Sequence, residues 1–161
     1  MVEFLTWLEG SALGEAMRGM GVWSYGVLNL FHVFGIATLF GSIAVLDLRL
    51  LGVWQRIPLS HIATPVLPLT MIGFVLAVLS GTCMLSVNAI DYIDNPFLLI
   101  KFPAIGLALL NAAALSRVPA WRERQQREPT AGEHGTLAIA GGTSLACWLA
   151  AVGAGRMLGY W

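Results

Sequence analysis

Four stretches of the chain are almost free of strongly polar residues. They run over residues 23–51, 62–88, 97–116 and 135–158. Each reaches the roughly 20 residues that a helix needs to cross a bilayer. No stretch alternates apolar and polar positions with period two, which excludes a membrane β-barrel. Backbone in hydrocarbon must satisfy its own hydrogen bonds, so the four runs predict transmembrane helices. The first closes with Asp47-Leu48-Arg49-Leu50-Leu51-Gly52. The second carries Pro65 and Pro68 near its start, where proline is best tolerated. The third follows Asn95-Pro96 and contains Lys101 and Pro103; the fourth contains Arg156. Ahead of them, Phe4, Leu5, Leu8, Ala12 and Ala16 recur at helical spacing. That spacing predicts an amphipathic helix over residues 3–18, lying at the membrane interface with Trp7. The expected fold is an all-α membrane protein: a four-transmembrane-helix bundle with an N-terminal interfacial amphipathic helix, in one domain.

Composition agrees. Of 161 residues, 57% are hydrophobic and 11% charged, and nine Lys+Arg balance nine Asp+Glu. Soluble domains carry about 25% charge. These figures exclude a soluble enzyme, a nucleic-acid binder and a disordered tail. Cys83 and Cys147 lie in apolar runs and form no C-x-x-C pair, so they read as small buried hydrophobes. Residues 1–20 carry Glu3, Glu9 and Glu15 with Arg18 as the one cation, unlike a signal peptide.

Charge placement predicts orientation. Arg49 and Arg56 follow the first span, and Arg117, Arg122, Arg124 and Arg127 follow the third. The middle loop carries only Asp91 and Asp94. The positive-inside rule then puts the first and third loops in the cytoplasm and both termini outside. Trp23, Tyr25, Tyr92, Tyr160 and Trp161 would form an outer aromatic belt, with Trp54 and Trp121 on the inner side. Small residues four apart, at Ala37/Gly41, Ala77/Gly81 and Ala146/Ala150/Ala154, suit close helix packing or make room for a flat ligand.

Ionisable residues inside a membrane are candidates for function. His32, Lys101 and Arg156 all fall in the predicted outer half, at overlapping depths. Lys101 and Arg156 either snorkel to headgroups and to Asp91 and Asp94, or hold an anionic group: haem propionates, a quinone head or a phospholipid. His32 lies too deep to snorkel. Asn29 three residues before it and Gly35 three after it share its helix face. Its imidazole either binds haem iron, with Gly35 giving room, or is a core histidine bonded to Asn111 or a backbone carbonyl. Met84, near Cys83 at the outer end of the second span, is a candidate second axial ligand. That ligand can also be absent or come from another subunit. His61 and His134 start the second and fourth spans and read as loop histidines or an inner haem pair. Asp47 is expected to pair with a third-loop cation such as Arg117.

His32-Val-Phe-Gly-Ile-Ala37, Gly41-Ser42 and Leu46-Asp47-Leu48-Arg49-Leu50-Leu51-Gly52 resemble a recurrent bacterial membrane pattern. So do Gly73-Phe74, Ser80-Gly81, Asn95-Pro96-Phe97 with Lys101, Asn111, Trp148, Gly155-Arg156-Met157 and Tyr160-Trp161. Together, from Phe4 to Trp161, they resemble a family of small four-span inner-membrane proteins of unassigned function. A looser similarity extends to small haem-binding membrane proteins, the membrane protoporphyrinogen oxidase and the copper-resistance membrane domain. It implies His32 as ligand position and haem b as cofactor. The chain departs where such proteins often end the third span in Phe-His, since Leu115-Ser116 stands there. The expected function is a b-type-cytochrome-like subunit passing electrons within a larger membrane complex. The alternative is a non-redox structural or assembly subunit that binds lipid or partner helices. Expected partners are membrane lipid and other membrane subunits or further copies of the chain.

Overall fold

The computed structural model describes residues 2–160; Trp161, expected in the outer belt, lies outside them. The described residues form helices and turns without strands. In chain order the helices are α1 (Val2–Glu9), α2 (Ala12–Gly19), α3 (Gly21–Leu50), α4 (Leu59–Leu85), α5 (Pro96–Leu115), α6 (Pro119–Arg122) and α7 (His134–Met157). Four of them, α3, α4, α5 and α7, are long and apolar enough to cross a membrane, so the chain is a multi-pass membrane protein. Their limits lie within three residues of the apolar runs. The largest offset is at α4, which starts directly after Pro58 (φ −51°, ψ 138°) and takes in Leu59, Ser60 and His61. Asn95 caps α5 by accepting from the Phe97 amide at 2.9 Å, with Pro96 in the first turn, where no amide is needed.

Packing runs α4–α3–α7–α5, with α3 against both α4 and α7, and α5 against α7. Glycine sets the two closest crossings. A Cβ at Gly35 would lie 2.7 Å from the Ala77 amide nitrogen, and one at Gly73 would collide with the Leu39 backbone. The helices α3 and α4 therefore meet backbone to backbone, the use of small residues that membrane interiors favour. At Gly141 of α7 the neighbours are the Leu50 side chain, 2.8 Å from a Cβ placed there, and the Asp47 carbonyl at 2.9 Å. Asn111 of α5 donates to the Ala140 carbonyl of α7 at 2.9 Å. Phe74 meets Trp148 edge-on at 6.4 Å in the middle of the bundle.

Both termini lie at one end of the bundle, here called the terminal end. The expected single helix over residues 3–18 is two helices, α1 and α2, and this corrects the sequence reading. Ser11 breaks the run by capping α2, its hydroxyl accepting from the Gly14 amide at 3.3 Å. Leu5 and Leu8 are buried against protein: they and Ala89 and Leu98 form a small core at this end. Two polar contacts fasten the segment there. The Ile90 amide donates to Glu9 at 2.7 Å. The Arg18 guanidinium donates to the Ser86 and Val87 carbonyls at 3.4 and 3.3 Å, supplying donors that the end of α4 lacks.

At the opposite end Leu46, Leu50, Leu59, Ala63, Leu115 and Trp121 join one core. Trp121, expected in an inner aromatic belt, is buried there, with Arg124 4.2 Å from its ring centroid. The long α5–α7 connection folds around Arg127, which bonds Glu123 at 2.7 Å and Glu133 at 2.7 and 2.8 Å. Glu133 also accepts from the Thr130 amide and hydroxyl, at 2.8 and 2.9 Å.

Candidate functional site

His32 sits on α3 one turn before Gly35 and faces α4. Its Nδ1 is 2.9 Å from the Ser80 hydroxyl. Ser80, itself 3% exposed, donates to the Leu76 carbonyl at 2.5 Å. With Ser80 donating to a backbone carbonyl, its oxygen can accept from His32 in the tautomer that carries the ring proton on Nδ1. In that tautomer the neutral ring has its lone pair on Nε2. The ring fits because residue 81 is glycine: a Cβ there would stand 2.8 Å from Cε1 of His32.

The structure brings one further candidate to this histidine. Lys101 of α5 is half-buried, and its charge acts on the His32 ring. Its Cε and Nζ lie 3.6 Å from where a Cβ of Gly155 would be, so the lysine rests on the backbone of α7. Among the described residues Lys101 has no hydrogen bond and no carboxylate within 4 Å, so the expected reach to Asp91 or Asp94 is not made.

The other candidates go elsewhere. Arg156 is exposed and folds back on Tyr160, bonding its hydroxyl with the guanidinium carbon 4.5 Å from the ring centroid. Asn29 is exposed on α3, and its side chain makes no hydrogen bond among the described residues. The space beside Gly35, expected to admit a flat ligand, is filled by the Ala77 backbone. Asn111 is bonded to α7 and not to His32. Met84 is half-buried, one turn beyond Ser80 on the same face of α4. Cys83 lines an apolar groove of about 560 Å³ together with Met20, Trp23 and Phe31. His61 is exposed and His134 half-buried, with no bond between them.

At the opposite end the expected Asp47–Arg117 pair does not form. The cross-connection is made by Arg49, 3% exposed, which donates to the Ile57 carbonyl at 2.9 Å and to Glu128 at 3.4 Å. Glu128 in turn accepts from the Leu59 amide at 3.2 Å, closing the first turn of α4.

The sequence marks Ser80 only as part of the Ser80-Gly81 motif, with no partner assigned, and does not mark Glu128 at all. The signal for Ser80 was a hydroxyl beside glycine in an otherwise apolar span. Glu128 carried none, because its partner is 79 residues away. Among the described residues no three of His, Cys, Asp and Glu gather into a metal-binding group. No family model matches the chain, and neither a curated protein nor a solved structure does.

Proposed function

We propose that the chain is a small electron-transfer subunit that binds haem b through His32, in the half of the membrane nearer the termini. The observation that carries this reading is the state of the imidazole. With Ser80 accepting from Nδ1, the ring would present an unprotonated Nε2 as the ligand atom. Haem-ligating histidines are held in this way, with the second nitrogen bonded to a neighbour and the first left for iron. Lys101, whose charge acts on the ring, has no carboxylate within 4 Å among the described residues, and a propionate would supply one. Met84, one turn along α4 from Ser80, is the candidate for the second axial position. A bound haem would contribute a one-electron redox centre. The protein would hold it, orient it and keep water away.

The membrane in this reading is a bacterial inner membrane, with both termini periplasmic. The support is the asymmetry of Arg56, Arg117 and Arg122 against Asp91 and Asp94. A chain with this little surface outside lipid would exchange electrons with other subunits of a complex.

A visible spectrum of purified protein from haem-replete cells tests the reading. The expected result is a Soret band that shifts on dithionite reduction. It should disappear in His32→Ala and persist in His61→Ala. A folded protein that stays colourless, with haem supplied, overturns it.

Asn29 favours the second reading, a non-redox assembly subunit. An exposed amide without a partner on a membrane helix is a contact waiting for another helix. A colourless protein that co-purifies with a membrane partner, and loses it in Asn29→Leu, would establish this reading instead.

A further inference from the structure

Asp47 is a buried acid in an otherwise apolar span. It lies in α3 near the end opposite His32, is 2% exposed, and its Oδ2 has no hydrogen-bond partner. Leu46 and Leu50 beside it are 5% and 4% exposed. Gly141 brings the α7 backbone against the Asp47 backbone carbonyl, 2.9 Å from a Cβ placed there, so α3 and α7 meet closely at this level. Ser144 of α7, 7% exposed, is the one side chain among the described residues that bonds to the Asp47 carboxyl group.

A carboxylate in such a place needs a compensating positive charge, since one neutral hydroxyl does not replace its hydration. Among the described residues no element packed at that level supplies one within 4 Å. Arg49 on the same helix is spent on the Ile57 carbonyl and Glu128. Arg124 bonds the Trp121 carbonyl and rests on its ring; its buried Nε has no hydrogen-bond partner among the described residues, and it forms no ion pair with Asp47 within 4 Å. Arg127 is held by Glu123 and Glu133. The helices packed on α3 bring His61 in α4 and His134 in α7, each in the first turn. No Lys, Arg or His nitrogen among the described residues lies within 4 Å of the Asp47 carboxylate.

We propose that Asp47 is a proton-binding site: its carboxyl group carries a proton in the seam between α3 and α7. The neutral acid needs no counter-charge and fits an apolar seam. Releasing the proton would leave a bare charge against the backbone of α7. Proton occupancy at Asp47 therefore controls how firmly α7 closes on α3. This inference does not depend on haem.

Infrared spectroscopy of the chain in lipid vesicles at pH 7 tests it. None of the other eight carboxylic side chains is buried. The expected result is one protonated-carboxyl C=O band that shifts in D2O, disappears in Asp47→Asn and moves in Ser144→Ala. Asp47→Asn, which keeps shape and neutrality, should fold with unchanged thermal stability. Wild-type stability should decline as pH rises above the ordinary carboxylate range, because the folded state binds the extra proton, and Asp47→Asn should not follow it. Absence of the band in folded wild-type protein overturns the proposal. So does an ionised Asp47 whose protein is stabilised by sodium or potassium ions, with Asp47→Asn insensitive, which would assign the site to a metal cation.

Discussion

Gly81 and His32 compete for one volume: a Cβ on Gly81 would lie 2.8 Å from Cε1 of the imidazole and 3.4 Å from Nδ1. The ring can turn about two bonds, so it gives way before the helices do. Gly81→Ala should cost about 1–3 kcal/mol through overpacking. It should also move His32 off Ser80, which the Nδ1 chemical shift reports. Retention of that hydrogen bond in the variant would mean that the ring does not need the space.

The helix crossing at Gly73 has no such freedom. There the obstacle is the Leu39 backbone, and at Gly35 it is the Ala77 amide nitrogen at 2.7 Å. Gly73→Ala should therefore force α3 and α4 apart and cost about 3 kcal/mol or more. Gly153→Ala, where nothing lies within 4 Å, should be neutral or stabilising by up to about 1 kcal/mol from helix propensity. Unfolding the two variants side by side in mixed micelles distinguishes a specific crossing from a general dislike of alanine.

The connection between α5 and α7 should be resistant to acid. Hydrogen bonds from Arg127 first, then from Thr130, pull the Glu133 carboxyl down from 4.5 to about 2. The same contacts push Arg127 above its ordinary value. A folded-state value below the free one means the order these contacts give is present above the ordinary carboxylate range. It is lost as pH falls through about 2. Carboxyl carbon shifts should show Glu133 still ionised at pH 4 in wild type, and titrating closer to 4.5 in Arg127→Gln. Raised salt should weaken the effect, since the groups face solvent.

Arg49 and Glu128 should contribute unequally. Arg49 is 3% exposed and satisfies the Ile57 carbonyl; Glu128 is 48% exposed. Arg49→Met should cost about 1–3 kcal/mol by orphaning that carbonyl. The coupling between the two charges, read from a double-mutant cycle with Glu128→Gln, should stay below about 1 kcal/mol.

How much of this was legible in the sequence divides by distance along the chain. The four spans were, because burial in lipid writes itself as local apolar runs; even the Asn95-Pro96 start of α5 could be read. The break between α1 and α2 was marked by Gly10-Ser11, but five apolar residues at helical spacing hid it. His32 stood out as a polar group in an apolar run. Its partner Ser80 did not, since a serine at helical spacing from glycine reads equally as packing. The pairing of Arg49 with Glu128, and the isolation of Asp47, depend on which helices turn toward each other. Small side chains such as Gly141 and Gly73 decide that, and nothing local to Asp47 records it.

Helix order has a consequence for how such a molecule is made. The contacts between α3 and α4, from His32–Ser80 through Gly35 to Gly73, are complete by residue 85, and those between α5 and α7 fall after residue 95. The chain is thus two helical hairpins, joined side by side through α3 and α7. The first can close as it leaves the translocon, before the second has been translated, and sideways docking of the second then brings Lys101 to His32.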